Sequence, residues 1–485
     1  MVTLHERQAS PLKTMHLTNS WHVNSGGVAT FYRALMAEAD RRRQPIRLVV
    51  PSAMDSIEEV GEFARIYHIQ SPPAPFNRDY RVIYPTQYLL PGSKLQQILI
   101  FERPDIVEIS DKYTLNYLGA VLRLQLLDAV DFRPVVVGVS QERMDDNVAA
   151  YLRGIPFAQE LCSLYMRWLY FPFFDHHVAN SSYTVSELQA AAMGQLVARG
   201  TWIRPMGVDL TQLSPQRRSP ELRRRLLQNF GASEDSVLLL YAGRLAPEKN
   251  LPLLFELLMR LSRNSERDYR LLVAGDGIER QRWEEKCARE APGRALFLGH
   301  IRDKSVLADL YANSDVFVHP NPREPFGIAP LEAMASGLPL VAPNVGGVAS
   351  YANAKNAWTA ESDVESFARA VEGAASHEPL VLEKIKQALA TAQLHCWESV
   401  AASYFNLYNE LDQSRASEEK EGYVPAFYST PTAGFRAALM HGLSQLAARS
   451  FRFTARLAAP SGSRRAPRVV WAPCVTPQAP ENRAS

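Results

Sequence analysis

Cysteine is scarce in this 485-residue chain: four residues, Cys162, Cys287, Cys396 and Cys474, lie far apart. Their spacing fits neither a zinc site nor a disulfide framework, which points to reduced thiols in a cytosolic setting. No Asp-x-Asp pair occurs, so a divalent metal bridging a diphosphate has no obvious ligand pair and side-chain cations are left to do that work. No Gly-x-Gly-x-x-Gly follows a strand-like run, which argues against a nicotinamide oxidoreductase; Gly275-Asp276-Gly277 lacks the third glycine and reads as a strand-end turn. No apolar run reaches the roughly 18 residues needed to span a bilayer, and none of signal-peptide length precedes the first strand-like segment. The expectation is a cytoplasmic protein, soluble or peripheral on the inner face of the membrane. A formal net charge of +2 carries no nucleic-acid signal.

What is present is apolar sequence in a regular pattern. With 46% hydrophobic residues the chain can bury two cores. Short apolar runs alternate with helix-length segments, the signature of doubly wound α/β domains. In the first half, strands are expected at 13–18, 47–50, 106–109, 134–139 and 177–179, with a helix over 28–41 after Gly26-Gly27. In the second half they are expected at 237–241, 270–274, 295–298, 316–319 and 338–342. Trp397, Val400, Tyr404, Leu407 and Leu411 recur at helical spacing, for which core packing is a sufficient explanation.

The densest chemistry lies in Arg323-Glu324-Pro325-Phe326-Gly327-Ile328-Ala329-Pro330-Leu331-Glu332, with two carboxylates eight positions apart across a loop-to-helix junction. Pro330 suits a first helical turn, so Gly327 and Ile328 are expected just ahead of the helix, with backbone N–H groups unpaired and open to an anion. Glu332 as a dipole-favoured first-turn carboxylate and Glu324 as a solvated loop residue is the plain alternative. Upstream, a buried strand runs into Gly243-Arg244-Leu245-Ala246-Pro247-Glu248-Lys249-Asn250. Arg244 and Lys249 there can neutralise a diphosphate, the first by a planar fork and the second as a point charge. The Gly26-Gly27 pair would let backbone approach a phosphate, although a tight turn explains it equally well.

Taken together, the Glu324-to-Glu332 spacing, the Gly-Arg-Leu-x-x-Glu-Lys-Asn run and Gly26-Gly27 resemble the retaining glycosyltransferases called "glycosyl transferases group 1", over roughly residues 13 to 412. The resemblance implies an α/β fold of two Rossmann-like domains facing across a cleft (GT-B), a C-terminal crossover helix and a partly disordered tail. It implies an N-terminal acceptor-binding domain at 1–207, a C-terminal nucleotide-sugar domain at 208–396 entered through Pro205-Met206-Gly207-Val208-Asp209, a crossover helix at 397–412 and a basic tail at 413–485. It also implies metal-independent transfer of a hexosyl group from a nucleoside-diphosphate sugar to a lipid or glycan acceptor. Arg244, Lys249, Glu324 and Asp111 are then the catalytic candidates. Gly26, Gly27, His300, Ile301, Phe326, Gly327, Ile328 and Glu332 are the donor-binding ones, with Glu324 on sugar hydroxyls, Glu332 on the ribose and His300-Ile301 at the base. No cofactor or metal is implied.

Two departures matter. Many family members carry His where this chain has Asp111, and the branch with acidic Ser110-Asp111 and Ser140-Gln141-Glu142-Arg143 resembles GDP-mannose-dependent α-mannosyltransferases. That branch usually has His at Gln141. Glu142 and Arg143 are the acceptor candidates. Three other readings stay open: a UDP-sugar transferase of the same fold, a sugar-nucleotide epimerase, and a non-catalytic sugar-nucleotide-binding protein.

Residues 414–422 and the end from 459 read as linker or disorder. Between them Phe435, Leu439, Leu443, Leu446, Phe453 and Leu457 recur at spacings compatible with one helical face, accompanied by Arg436, Arg449, Arg452 and Arg456, and no acidic residue occurs from 422 until Glu481. Segment 435–457 is expected either on an anionic membrane surface or packed back on the protein.

Overall fold

The computed structural model describes residues 11–21, 27–74, 77–151, 157–192, 200–264, 266–376 and 378–420. By packing, the chain divides into two compact units, 1–139 with 172–176 and 405–485, and 140–171 with 177–404. Gly26, Cys474 and the proposed membrane segment 435–457 lie outside the described residues.

The first unit is built on β1 (Thr14–Leu17), β2 (Ile46–Ser52), β3 (Ser56–Glu59) and β4 (Ala64–Gln70), with a small antiparallel pair, β5 (Pro73–Ala74) and β6 (Asn77–Arg81), and then β7 (Ile106–Ile109) and β8 (Val135–Ser140). Hydrogen bonding runs β8-β7-β1-β2-β4-β3, all parallel except the β3–β4 hairpin. Met15, Leu17, Val49, Val107, Ile109 and Val137 are fully buried, as strands covered on both faces require. The helix Gly27–Arg42 supplies part of that cover through Phe31, Tyr32 and Leu35. A polar knot sits inside: His16 Nδ1 lies 3.0 Å from Glu108 Oε1, His16 Nε2 lies 3.0 Å from Thr14 Oγ1, and the Tyr408 hydroxyl donates to Glu108. Every member is partnered, as burial of such groups demands.

Tyr408 belongs to the helix Trp397–Lys420, which extends beyond the expected end at 412. Residues 414–420, read from composition as linker, are helical: Ser414 Oγ donates to the Glu410 carbonyl at 2.9 Å and Arg415 pairs with Asp412 at 2.8 Å. Glu, Lys, Arg and Ala are good helix formers, and a polar face is no obstacle to a helix already nucleated by its buried first turns.

In the second unit, β9 (His176–Ala179) pairs in parallel with β10 (Thr201–Ile203) from His177↔Thr201 to Ala179↔Ile203. The larger sheet comprises β11 (Val237–Ala242), β12 (Tyr269–Ala274), β13 (Ala295–Gly299), β14 (Val316–Val318), β15 (Leu340–Pro343) and β16 (Trp358–Ala360), all parallel, in the order β13-β12-β11-β14-β15-β16. Counted within the sheet that is 3-2-1-4-5-6, the order of a dinucleotide-binding domain, with its switch point between β11 and β14. Its core packs Leu254, Leu258 and Leu261 of the helix Leu251–Asn264 with Phe367 and Val371 of the helix Val364–Ala374. Residues 140–171 and 177–207, which the sequence reading assigns to the first domain, pack with this unit. One tie is Ser181, whose hydroxyl donates to the Pro325 carbonyl at 2.5 Å while also capping the helix Ser182–Ala191.

Candidate functional site

Loops leaving β11 and β14 at their carboxyl ends meet at the switch point. After β11 the chain turns through the short 3-10 helix Pro247–Lys249, and Asn250 takes a left-handed conformation at φ 51°. Asn tolerates that region better than most residues. Its side chain donates to the Pro320 carbonyl at 2.9 Å, tying this loop to the one after β14. Lys249 Nζ then stands 3.0 and 2.8 Å from the two oxygens of Glu324, and Asn321 Nδ2 donates to Oε2 at 3.1 Å. Glu324 is therefore no solvated loop carboxylate: its side chain is only 13% exposed. Burial by itself would raise its pKa, but Lys249, His319 and Asn321 overcome that and draw it down to about 2. The carboxylate is ionised and fixed in place before any ligand arrives.

Beyond Glu324, Phe326 is buried against Tyr351 at a 5.0 Å ring separation. Gly327 has φ 86°, and a Cβ there would lie 2.8 Å from a Val348 methyl, so both conformation and space select glycine. The Tyr351 hydroxyl holds its carbonyl. Ile328 is the first residue of the helix Ile328–Ala335, one place further in than expected, with Pro330 in the first turn and no side chain capping Gly327. This helix start keeps the open amides that suit an anion. Glu332, one turn in, is half-buried and accepts from the Tyr311 hydroxyl at 2.8 Å; desolvation raises its pKa. Gly347, in the loop after β15, donates its N–H to the Glu324 carbonyl at 2.7 Å, and a Cβ there would fall 1.9 Å from the Pro325 oxygen.

Arg244 follows β11 with its side chain 64% exposed and paired with Glu248 at 2.8 Å, a partner it can exchange. His300 is exposed and Ile301 half-buried after β13, where Gly299 turns the chain. Thus Arg244, Lys249, His300, Ile301, Glu324, Phe326, Gly327, Ile328 and Glu332 all belong to loops or first helical turns at the carboxyl ends of this one sheet. A cavity of about 770 Å³ lies elsewhere, among Ser236, Val237, Asp268, Ser314 and Asp315 at the amino ends of β11, β12 and β14. The carboxyl ends of the strands mark the ligand side, because open α/β sheets bind ligands there.

The remaining candidates have other surroundings. Asp111 follows β7 in the first unit, and its Oδ1 accepts from the backbone N–H groups of Tyr113, Thr114 and Leu115 at 3.0, 2.7 and 2.8 Å. Oδ2 accepts from Asn19 at 3.1 Å. That makes Asp111 a cap for the chain entering the helix Asn116–Arg123, where the sequence had suggested a ligand-facing carboxylate. Gly27 opens the helix Gly27–Arg42. Glu142 accepts from Asn147 at 3.0 Å, and Arg143 pairs with Asp145 and stacks over Tyr183 at 4.3 Å. A cavity of about 400 Å³ is lined by Arg143, Asp146, Gln159, Cys162, Glu187 and Arg323 among others.

Sequence reasoning passed over Asn250, Tyr311, Gly346, Gly347 and the role of His319. Gly346-Gly347 after an apolar strand was the one available signal. Among the described residues no group of three or more His, Cys, Asp or Glu is placed to hold a metal, and no helix is long and apolar enough to cross a membrane.

Residues 223–390 match the family model "Glycosyl transferases group 1". A relative, GDP-mannose-dependent alpha-(1-6)-phosphatidylinositol dimannoside mannosyltransferase from Mycobacterium tuberculosis, is 28% identical over 393 residues, 81% of this chain and 94% of its own. Among solved structures, sucrose-phosphate synthase from Thermosynechococcus elongatus superposes with TM-score 0.65 at 20% identity, over 83% of this chain and all of that one. Anabaena HepE in complex with UDP and glucose does so with TM-score 0.59 at 16% identity, over 82% of this chain and all of its own. Residues 223–390 are therefore a glycosyl transferases group 1 domain, the chain has the α/β GT-B fold, and these matches support a glycosyltransferase that uses a nucleotide sugar.

Proposed function

We propose that the protein moves a mannosyl group from GDP-mannose to a hydroxyl of a lipid-linked or glycan acceptor, with retention of configuration and without a metal. The observation that carries this reading is the Lys249–Glu324–Asn321 cluster beside the open helix start at Gly327-Ile328. It sets a cation, a fixed carboxylate and free amides where a diphosphate-linked sugar needs them. The GDP-mannose assignment is supported by the name of the mycobacterial relative and by the Ser110-Asp111 and Glu142-Arg143 resemblance.

As the bond between the anomeric carbon and the β-phosphate oxygen breaks, negative charge grows on the leaving diphosphate and positive character on the sugar. Arg244, Lys249 and the Phe326–Ile328 amides stabilise the first, a state in which they are worth most. The acceptor oxygen bonds to the anomeric carbon from the same face and its proton passes to the departing phosphate. Glu324 holds sugar hydroxyls, Glu332 the ribose, and the His300-Ile301 segment the base. Asp111 contributes by holding its loop rather than by touching the sugar. Glu142 and Arg143 border the acceptor side, and the basic segment 435–457 brings the protein to an anionic membrane.

The test is binding and turnover of GDP-mannose, UDP-glucose, UDP-N-acetylglucosamine and UDP-galactose in chelator, for wild type and Glu332→Ala. Selective use of GDP-mannose that weakens in the variant upholds the reading. A UDP-sugar preference replaces the donor and keeps the site, and abolition by chelator removes metal independence. Donor conversion without any acceptor would indicate an epimerase.

A further inference from the structure

His319 follows β14 directly and is 6% exposed, yet its Nε2 has no hydrogen-bond partner among the described residues. An orphaned ring nitrogen at that depth is uncommon, because an unmet polar atom in a protein interior loses its hydration without a replacement. Nε2 lies 3.8 Å from Glu324 Oε2, too far for a hydrogen bond. Such a gap is the right size for one shared oxygen: an atom at ordinary hydrogen-bond distance from both would subtend roughly 85° between them. A hydroxyl fits with one arrangement, donating its proton to the carboxylate and accepting from Nε2–H, which a second carboxylate could not do.

Glu324 Oε2 already accepts from Lys249 and Asn321. When Lys249 turns to the donor diphosphate, the lone pair it held becomes available. The ring itself is fixed: burial keeps it neutral, with a pKa drawn down to about 4 despite the neighbouring carboxylate.

We propose that His319 is a donor-contacting residue that, with Glu324, brackets one hydroxyl of the transferred hexose and so reads the configuration of the donor sugar at that carbon. The inference rests on the reading of Glu324 as a sugar contact. Neither Gln nor Leu could reproduce both the reach and the two-way hydrogen bonding of imidazole at this depth, but Gln retains a polar tip.

The experiment measures kcat and KM of wild type, His319→Gln and His319→Leu with the preferred nucleoside-diphosphate hexose and its singly deoxygenated or epimeric analogues at each ring hydroxyl. Wild type is expected to lose about 10- to 100-fold in kcat/KM at one position. His319→Leu should lose a similar factor with the natural donor and little more with that one analogue, and His319→Gln should fall between them. Binding of the free nucleoside diphosphate and the melting temperature serve as fold controls and should stay near wild type. Undiminished discrimination at every hydroxyl in His319→Leu overturns the proposal, as does a ring nitrogen occupied only by water in a donor complex. Glu324→Gln separates the two levels: if it too leaves hydroxyl discrimination intact, the placement of the sugar at Glu324 is what has failed. Should Leu prevent folding, the Gln variant alone decides by the same comparison.

Discussion

Each of the two sheets changes strand direction of growth at one point, β1/β7 in the first unit and β11/β14 in the second, and each point carries an acidic side chain just past the later strand. Their partners make them different groups. Asp111 is consumed by three backbone amides and Asn19, so its negative charge serves the loop that carries it. Glu324 is held by side chains alone, Lys249 and Asn321, which can be exchanged for a ligand without unmaking the backbone. A carboxylate at a topological switch point is thus not a site by position; what matters is whether its hydrogen bonds are structural or replaceable.

Replacement of the second pair should have the largest effect. Lys249→Met is expected to cut kcat about 10²- to 10³-fold if Lys249 has its proposed role at the leaving group, and to lower the melting temperature because Glu324 is left without its counter-ion. Steady-state kinetics with a parallel thermal melt check both. Asp111→Ala should do the reverse: about 2 kcal/mol of stability lost in denaturant titration, with kcat changed less than about tenfold in the folded fraction. If Asp111→Ala instead abolished turnover in a fully folded protein, the contrast would collapse.

Glu332→Gln keeps the shape and the Tyr311 contact. Its expected result is a KM for the donor raised roughly tenfold with kcat preserved, the pattern of a binding contact present in ground and transition states alike. A donor lacking ribose hydroxyls should show the same increase in wild type and none further in the variant.

Acid stability separates the two groups as well. His319 stays neutral when folded down to about pH 4, whereas the unfolded chain takes up its proton near pH 6.5. Acidification through that window therefore favours unfolding. Glu324, lowered to about 2 from 4.5, adds stability above pH 4.5 that disappears as pH falls from there towards 2. Both make the folded state weaker in acid, in successive windows. His319→Gln should flatten the pH 6.5-to-4 part of a stability profile by up to roughly 3 kcal/mol and leave the lower part in place.

Strands with β-branched or leucine-rich runs were legible, β7 to the residue, because burial on both faces writes itself as continuous apolar sequence. The β3–β4 hairpin escaped notice: Ser56–Glu59 has no buried residue and is half acidic, and its place comes from pairing with β4. The helix to Lys420 escaped for the mirror reason, since polar composition says nothing of a helix continued from a buried start.

By itself the sequence determined the parallel α/β architecture, the loop-to-helix junction near Gly327, and which side chains near the site carry charge, because these follow from local periodicity and residue type. Only the tertiary structure decided which charges meet. Lys249 reaches Glu324 across 75 positions, Asn19 reaches Asp111 across 92, and the orphaned nitrogen of His319 exists only because β14 buries it beside that carboxylate. Local sequence specifies a group's chemistry, but its solvation and its partners are properties of the packed chain, and those two terms set whether a carboxylate is a cap or a poised ligand.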